Sequence, residues 1–369
     1  MKNLIFILLK AGLRILYAPM KLFKSKNRIV YLSRQSNEKS VDMCLLEQAV
    51  KKENPNIQQV FRLKMIDDGI SAKIKYCFSV IGDMYYLATS KAAIIDTYSI
   101  TVSCLKHKDS LKVIQIWHAL GAIKKFGLQS VGTKTGRDEK VSKIMCMHKN
   151  YDFVIAPSPA TAQFYMEAFG VKSDKIKICP MPRVDYILEK SDRINEFYSL
   201  NPSYGDKKLV LYLPTFRDSE AVYAQMLKTA FDDIEDCKLI ISAHPLSKAK
   251  HSEEFTPRGN FSTYELMKFA DVIITDYSAC AFEASLLMKP LYFYVPDYDD
   301  YCRDRGINVD IRSEMGSAVF DDADKLTESI VNGEYDMTQL YAFKKKYIQD
   351  TNSNNAQILA KFIIKVIGE

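Results

Sequence analysis

The chain has 369 residues, 47% of them hydrophobic and 26% charged, with a formal net charge of +6. That length exceeds what one small core fills and suits two domains of ordinary size. The composition excludes a disordered, collagenous or low-complexity chain, and so modest a basic excess makes no case for a nucleic-acid partner.

The first 27 residues stand apart. The stretch "MKNLIFILLKAGLRILYAPMKLFKSKNR" carries Lys2, Lys10, Arg14, Lys21, Lys24, Lys26 and Arg28 and no acid. Its longest unbroken apolar run, Leu4 to Leu9, is far short of the roughly 20 residues a spanning helix needs. Lys10 and Arg14 also interrupt any signal-peptide core. Residues 1–27 therefore read as an amphipathic helix on an anionic membrane surface, with Lys10, Arg14, Lys21 and Lys24 as the lipid contacts. The competing reading is an ordinary first helix packed on the core.

Ten short, β-branched runs follow, with helical patterns between them. They are "RIVYLS" (28–33), "QQVFRL" (58–63), "AAIIDT" (92–97), "KVIQIW" (112–117), "DFVIAPS" (152–158), "IKICP" (176–180), "KLVLYLP" (208–214), "KLIISAHP" (238–245), "DVIITD" (271–276) and "LYFYVP" (291–296). Such alternation predicts parallel sheets, and two series of it predict two doubly wound domains. The polar stretch 190–207, with Asn201-Pro202 and Gly205, is the seam. The expected domains are 28–195 and 205–350, with a final amphipathic helix in 351–369. Eight cysteines occur singly, without a CxxC pair, as reduced thiols do in a reducing compartment.

Ligands in doubly wound sheets bind at the carboxyl ends of strands. Those ends carry Asp96-Thr97, Trp117-His118, Ser158, Pro214 to Asp218, Ala243-His244-Pro245 and Thr275 to Ser278. The chain has no Gly-rich phosphate loop, so a nucleotide must be held by side chains and a helix start. In "ITDYSACAFEASLL", Ser278 caps a helix expected from Ala279 to Leu287, or offers its N–H groups to phosphate. Glu283, an acid on an apolar helix, calls for an internal partner or a ligand hydroxyl. His118 and His244 end strands in different domains, which suits one general base and one phosphate contact. His107, His148 and His251 lie in polar stretches and read as surface residues. Arg217 offers a fork for a pyrophosphate or pairs with Asp218 or another acid. The segment 121–140, with Lys124 and Lys125, reads as a long mobile loop beside His118. No His/Cys/Asp pattern calls for a metal, and no cofactor is expected.

Together the motifs "IQIWHALGAIKKFG", "CPMPRVD", "LYLPTFRD", "ISAHPL" and "ITDYSACAFEASLLMKP" resemble the CDP-glycerol glycerophosphotransferases of teichoic acid synthesis. The resemblance implies the GT-B fold, two Rossmann-like domains facing a cleft. It implies transfer of glycerol phosphate from CDP-glycerol to an acceptor hydroxyl, with release of CMP. It makes His118 and His244 the catalytic pair, with Asp96, His118, Lys124 and Lys125 on the acceptor side. Arg217, His244, Thr275, Asp276, Ser278 and Glu283 fall on the donor side. Arg183 and Asp185 match a Pro-Arg-x-Asp motif, with Pro180-Met181 where the family has Gly-Leu. The short chain and "WHALGAIKKFG" look most like the primase branch, which acts on an undecaprenyl-diphosphate-linked ManNAc-GlcNAc disaccharide at the cytoplasmic membrane face. A polymerase of the family, a GT-B nucleotide-sugar glycosyltransferase, or a non-enzymatic membrane module are the other readings.

Overall fold

The run "RIVYLS" forms strand β1 (Arg28–Ser33), and all six of its residues are buried. A strand covered on both faces tolerates no polar alternation, hence its continuous apolar character. The computed structural model describes residues 2–65, 70–217, 219–243, 247, 255–348 and 354–368. The remaining strands are β2 (Gln58–Leu63), β3 (Ala92–Ile95), β4 (Lys112–Gln115), β5 (Phe153–Ala156), β6 (Ile176–Ile178), β7 (Lys208–Leu213), β8 (Cys237–Ile241), β9 (Val272–Thr275), β10 (Leu291–Tyr294) and β11 (Val319–Phe320). All ten expected runs form strands. The two-residue β11 is too short to leave a sequence signal.

The chain divides into two units. The first comprises residues 1–120, 125–186 and 349–369; the second comprises 121–124 and 187–348. The first holds a parallel sheet of order β2-β1-β3-β4-β5-β6, so the strand order reverses between β1 and β3. The second holds a parallel sheet of order β11-β10-β9-β7-β8, reversing between β7 and β9. Each is doubly wound, as the sequence pattern predicts, and each has one crevice where such sheets receive ligands.

In the first unit the helices include α1 (Lys2–Met20), α2 (Val41–Glu53) and α3 (Ile70–Thr89). The final helix, Asn355–Val366, packs on α2. Asp185 caps it, accepting from Asn355 N (3.0 Å), Asn355 Nδ2 (2.8 Å) and Ala356 N (3.0 Å).

Helix α1 contains a stretch, Asn3–Met20, long and apolar enough by length and composition to cross a membrane. It nevertheless docks on the first unit, against α3 and the helices Ile100–Cys104 and Glu139–Ile144. Leu13 and Tyr17 are its buried residues, and Tyr17 Oη lies 2.8 Å from His107 Nδ1. The expected lipid contacts Lys10 and Arg14 need correcting. Lys10 Nζ donates to Ile144 O at 2.8 Å, and Arg14 Nε donates to Cys104 O at 3.1 Å. Both cations satisfy backbone carbonyls of their own unit, so the side of α1 left outward is apolar: Leu4, Ile5, Leu8, Ile15 and Leu16 are each more than half exposed. Lys21 is half-buried and Lys24 exposed.

Two further expectations change. The segment 121–140 is built rather than loose, with a 3₁₀ turn at Gly127–Ser130, a bridge between Lys124 and Ile307, and Gly132 N donating to Arg137 O. His148 is buried, not a surface residue; it lies among Tyr98, Tyr151 and Phe169 and pairs with Tyr151 Oη at 2.8 Å. All eight cysteines are free; Cys104, Cys179 and Cys237 are buried.

Candidate active site

In the first unit the chain leaves β4 through a strained turn. Trp117 has a φ of 56°, a left-handed conformation that a large side chain adopts only when its surroundings fix it. Here they do. Trp117 N donates to Gln115 Oε1 at 2.9 Å, and the indole packs on Phe126 and Phe169. The next residue, half-buried His118, is thereby turned out of the sheet.

His118 Nδ1 lies 2.8 Å from the carbonyl oxygen of Asp96. A carbonyl only accepts, so Nδ1 carries the proton and Nε2 presents its lone pair. Gln35 Nε2 crosses the ring, 3.2 Å from Nδ1 and 3.4 Å from Nε2. The backbone of His118 is fixed as well, because Arg183 Nη1 donates to its carbonyl oxygen at 2.9 Å. Arg183 is in turn held by Asp42 on α2: its amide donates to Oδ1 at 2.7 Å and its Nε to Oδ2 at 2.8 Å. This ion pair is almost wholly buried, at 6% and 1% side-chain exposure. Asp96 sits beneath the turn, 2% exposed. Burial pushes its carboxyl up to about 7, against opposing hydrogen bonds from Ser33 and Thr97.

In the second unit Asp276 closes the crevice between β7 and β9. Its carboxylate accepts from Thr215 N (3.0 Å) and Thr215 Oγ1 (2.6 Å), and it is wholly buried. Thr275 is likewise buried, its hydroxyl donating to Leu213 O at 2.9 Å. Arg217 projects from the same end of β7. The fork expected for a pyrophosphate is already engaged: Nη1 donates to Asp297 at 2.7 and 2.9 Å and Nη2 to Asp276 at 3.1 Å. Asp297, not the neighbouring Asp218, is its principal acid, and Asp218 lies outside the described residues. Tyr223, Tyr277 and Tyr301 surround the guanidinium at 4.8–5.6 Å. Tyr277 stacks on Tyr301 at 3.6 Å and donates its hydroxyl to Asp297 at 3.0 Å. Burial alone lowers the Arg217 pKa; Asp276 and Asp297 overcome it and hold the group above its ordinary value.

Lys124, expected on the acceptor side, falls within the second unit. Burial lowers its pKa, with Asp276 opposing and Arg305 and Arg217 adding to the fall. Lys125 belongs to the first unit and is exposed. The helix after Tyr277 is Cys280–Ser285, shorter than expected, and Ser278 Oγ accepts from Cys280 N at 3.3 Å. Glu283 is 2% exposed. His244 and His251 lie outside the described residues. Among the described residues no group of three or more His, Cys, Asp or Glu is placed to hold a metal ion.

Sequence reasoning missed Gln35, Asp42, Asp297, Tyr277 and Tyr301. One signal was available for Asp42: like Glu283, it is an acid within an apolar helical run and so required a buried partner.

The family model for CDP-Glycerol:Poly(glycerophosphate) glycerophosphotransferase matches residues 16–365. The chain is 31% identical over 329 residues to the teichoic acid ribitol-phosphate primase of Bacillus spizizenii, covering 85% of this chain and 84% of that one. It is 28% identical over 300 residues to the teichoic acid glycerol-phosphate primase of Bacillus subtilis, covering 78% and 77%. Its fold is similar to that of the wall teichoic acid polymerase TagF, at a TM-score of 0.73 and 19% identity, covering 99% and 96%. The two doubly wound sheets are those of the GT-B class. A model match over nearly the whole length, together with these relatives, settles the assignment: the chain is an enzyme belonging to the CDP-glycerol glycerophosphotransferase family.

Proposed function

We propose that this enzyme is a teichoic acid primase. It transfers glycerol phosphate from CDP-glycerol to the undecaprenyl-diphosphate-linked ManNAc-GlcNAc disaccharide and releases CMP. The observation that carries this reading is the even coverage of primases, 84% and 77% of the relatives' own lengths.

The acceptor hydroxyl attacks the phosphorus bearing the glycerol, and the bond from that phosphorus to the CMP oxygen breaks. His118 Nε2 takes the hydroxyl proton, displacing the Gln35 amide, because the Asp96 carbonyl holds the ring in the tautomer with Nε2 free of hydrogen. Lys124 and Arg217 supply positive charge for the donor phosphates, and Ser278 and Glu283 contact the donor's polar groups. His244 contributes a pyrophosphate contact. Asp276 and Thr275 act by fixing Thr215 and Arg217 rather than by touching the donor. The enzyme works at the cytoplasmic membrane face, attached through the exposed apolar side of α1.

A second reading, ribitol-phosphate transfer, is favoured by the relative at 31% identity. One assay separates them. The protein is incubated with CDP-glycerol or CDP-ribitol and a short-chain lipid-linked disaccharide, and the products are weighed. A single added glycerol phosphate is the expected result. A single ribitol phosphate selects the second reading, a ladder of additions indicates a polymerase, and no transfer from either donor overturns the proposal.

A further inference from the structure

The crevice of the first sheet, where the strand order reverses between β1 and β3, contains a recess remote in sequence from the motifs above. It is lined by Arg34 after β1, Arg62 and Lys64 at the end of β2, Asp83 on α3, and Thr97 and Ser99 after β3. Three cations thus meet one carboxylate. Arg62 Nε donates to Asp83 Oδ1 at 2.9 Å and its Nη2 to Ser79 O at 2.9 Å. Gly82 admits this guanidinium, because a Cβ there would lie 2.4 Å from Arg62 Nη2. The lining joins the active site through consecutive residues: Ser33 and Arg34 line the recess, while Gln35 reaches the His118 ring.

Helix α3 has a second face. Phe78 is 71% exposed and Ile81 42% exposed. Three residues apart, they form one row beside the Ser79–Gly82–Asp83 row that receives Arg62. A cationic recess and an exposed apolar row therefore lie side by side on one helix. Helix α1, with its own outward apolar side, packs against α3.

We propose that this recess binds the diphosphate of an amphiphilic acceptor, whose apolar chain leaves along Phe78 and Ile81. The inference rests on the acceptor class proposed above and adds a subsite for it. A diphosphate brings two or more negative charges, which match the net positive lining, and guanidinium groups are suited to phosphate oxygens. A sheet crevice at the reversal of strand order is where such a ligand is held. An apolar chain on the adjacent row removes Phe78 and Ile81 from water.

The test uses the full chain with farnesyl diphosphate, farnesol and inorganic pyrophosphate as probes, read by calorimetry. Farnesyl diphosphate binds at least about tenfold more tightly than either of the other two. Arg34→Gln and Lys64→Gln each weaken it about tenfold, one charge-assisted contact's worth, while Arg34→Lys and Lys64→Arg stay within about threefold. Phe78→Ser lowers it toward the pyrophosphate value. Equal binding of pyrophosphate and farnesyl diphosphate, or unchanged affinity in both glutamine variants, overturns the proposal. In the transfer assay the same glutamine variants raise the acceptor KM about tenfold and leave the CDP-glycerol KM unchanged. A rise in the donor KM instead places the donor here and also overturns it. If the wild type transfers nothing yet shows the binding pattern, the primase reading fails and the subsite stands.

Discussion

Arg183 Nη1 donates to the carbonyl oxygen of His118 at 2.9 Å, although the two residues are 65 positions apart. Its other donors are locked on Asp42, so α2, through Asp42, determines where the His118 backbone lies. Arg183 is therefore a positioning residue, acting on the turn that presents the imidazole. Replacing it with Ala leaves Asp42 buried and unpaired, and a loss of about 3–5 kcal/mol in urea-denaturation stability is expected. Arg183→Lys keeps the charge but cannot bond Asp42 and His118 together. It is expected to fold, by circular dichroism, and to lose at least about tenfold in kcat with a smaller change in the donor KM.

His118 is half-buried, and its side chain contacts the fold through one carbonyl and Gln35. His118→Ala is expected to retain the thermal unfolding midpoint within a few degrees. CMP release should fall by about a hundredfold or more, the scale of losing a general base. Retention of turnover would remove His118 from the proton transfer.

Asp297 and Tyr277 hold Arg217 from one side and Asp276 from the other. Asp297→Asn removes one charge partner and leaves a side chain of similar shape. The guanidinium is then free to shift, and the KM for CDP-glycerol should rise roughly three- to tenfold, with the acceptor KM unchanged, in initial-rate measurements.

The pH dependence of stability has two parts of opposite sign. Asp96 is pushed up to about 7 by burial, above its unfolded value near 4. Its contribution is complete below about pH 4 and is lost as pH rises through about 7. Asp96→Asn should remove that loss and gain on the order of 2–4 kcal/mol near pH 8 by urea denaturation. His148 is pushed down to about 3 by burial, with Arg137 adding to it. Its contribution is complete above about pH 6.5 and is lost as pH falls through about 3, so the acid limb belongs to it. A variant lacking the imidazole, His148→Phe, should shift that limb to lower pH.

Helix α1 separates membrane attachment from folding. Tyr17 is 2% exposed against His107, so Tyr17→Ala should cost about 3 kcal/mol. Leu8→Glu and Ile15→Glu, on residues 62% and 72% exposed, should leave stability within about 0.5 kcal/mol and reduce vesicle binding in flotation assays. The attachment should persist in high salt, because the outward side is apolar and Lys10 and Arg14 face the protein. Release by salt alone would restore the electrostatic reading.

The strands were legible in the sequence because a strand buried on both faces must be apolar throughout, and β1, β7 and β9 are. The place of His118 at a strand end was legible for the same reason: an apolar run stops where the sheet stops. What the chain could not disclose was which group each polar side chain meets. Lys10 on α1 looks like a lipid contact until Ile144, 134 residues later, supplies a carbonyl. Arg217 looks like a free fork until Asp297 closes on it from 80 residues away. His148 sits in a polar stretch, yet folding buries it among aromatic rings. Local periodicity sets secondary structure over a few residues, so the sequence by itself determined the two sheets and their helices. Charge partners, tautomers and the outward side of α1 depend on contacts between segments far apart in the chain, and only the tertiary structure decided them.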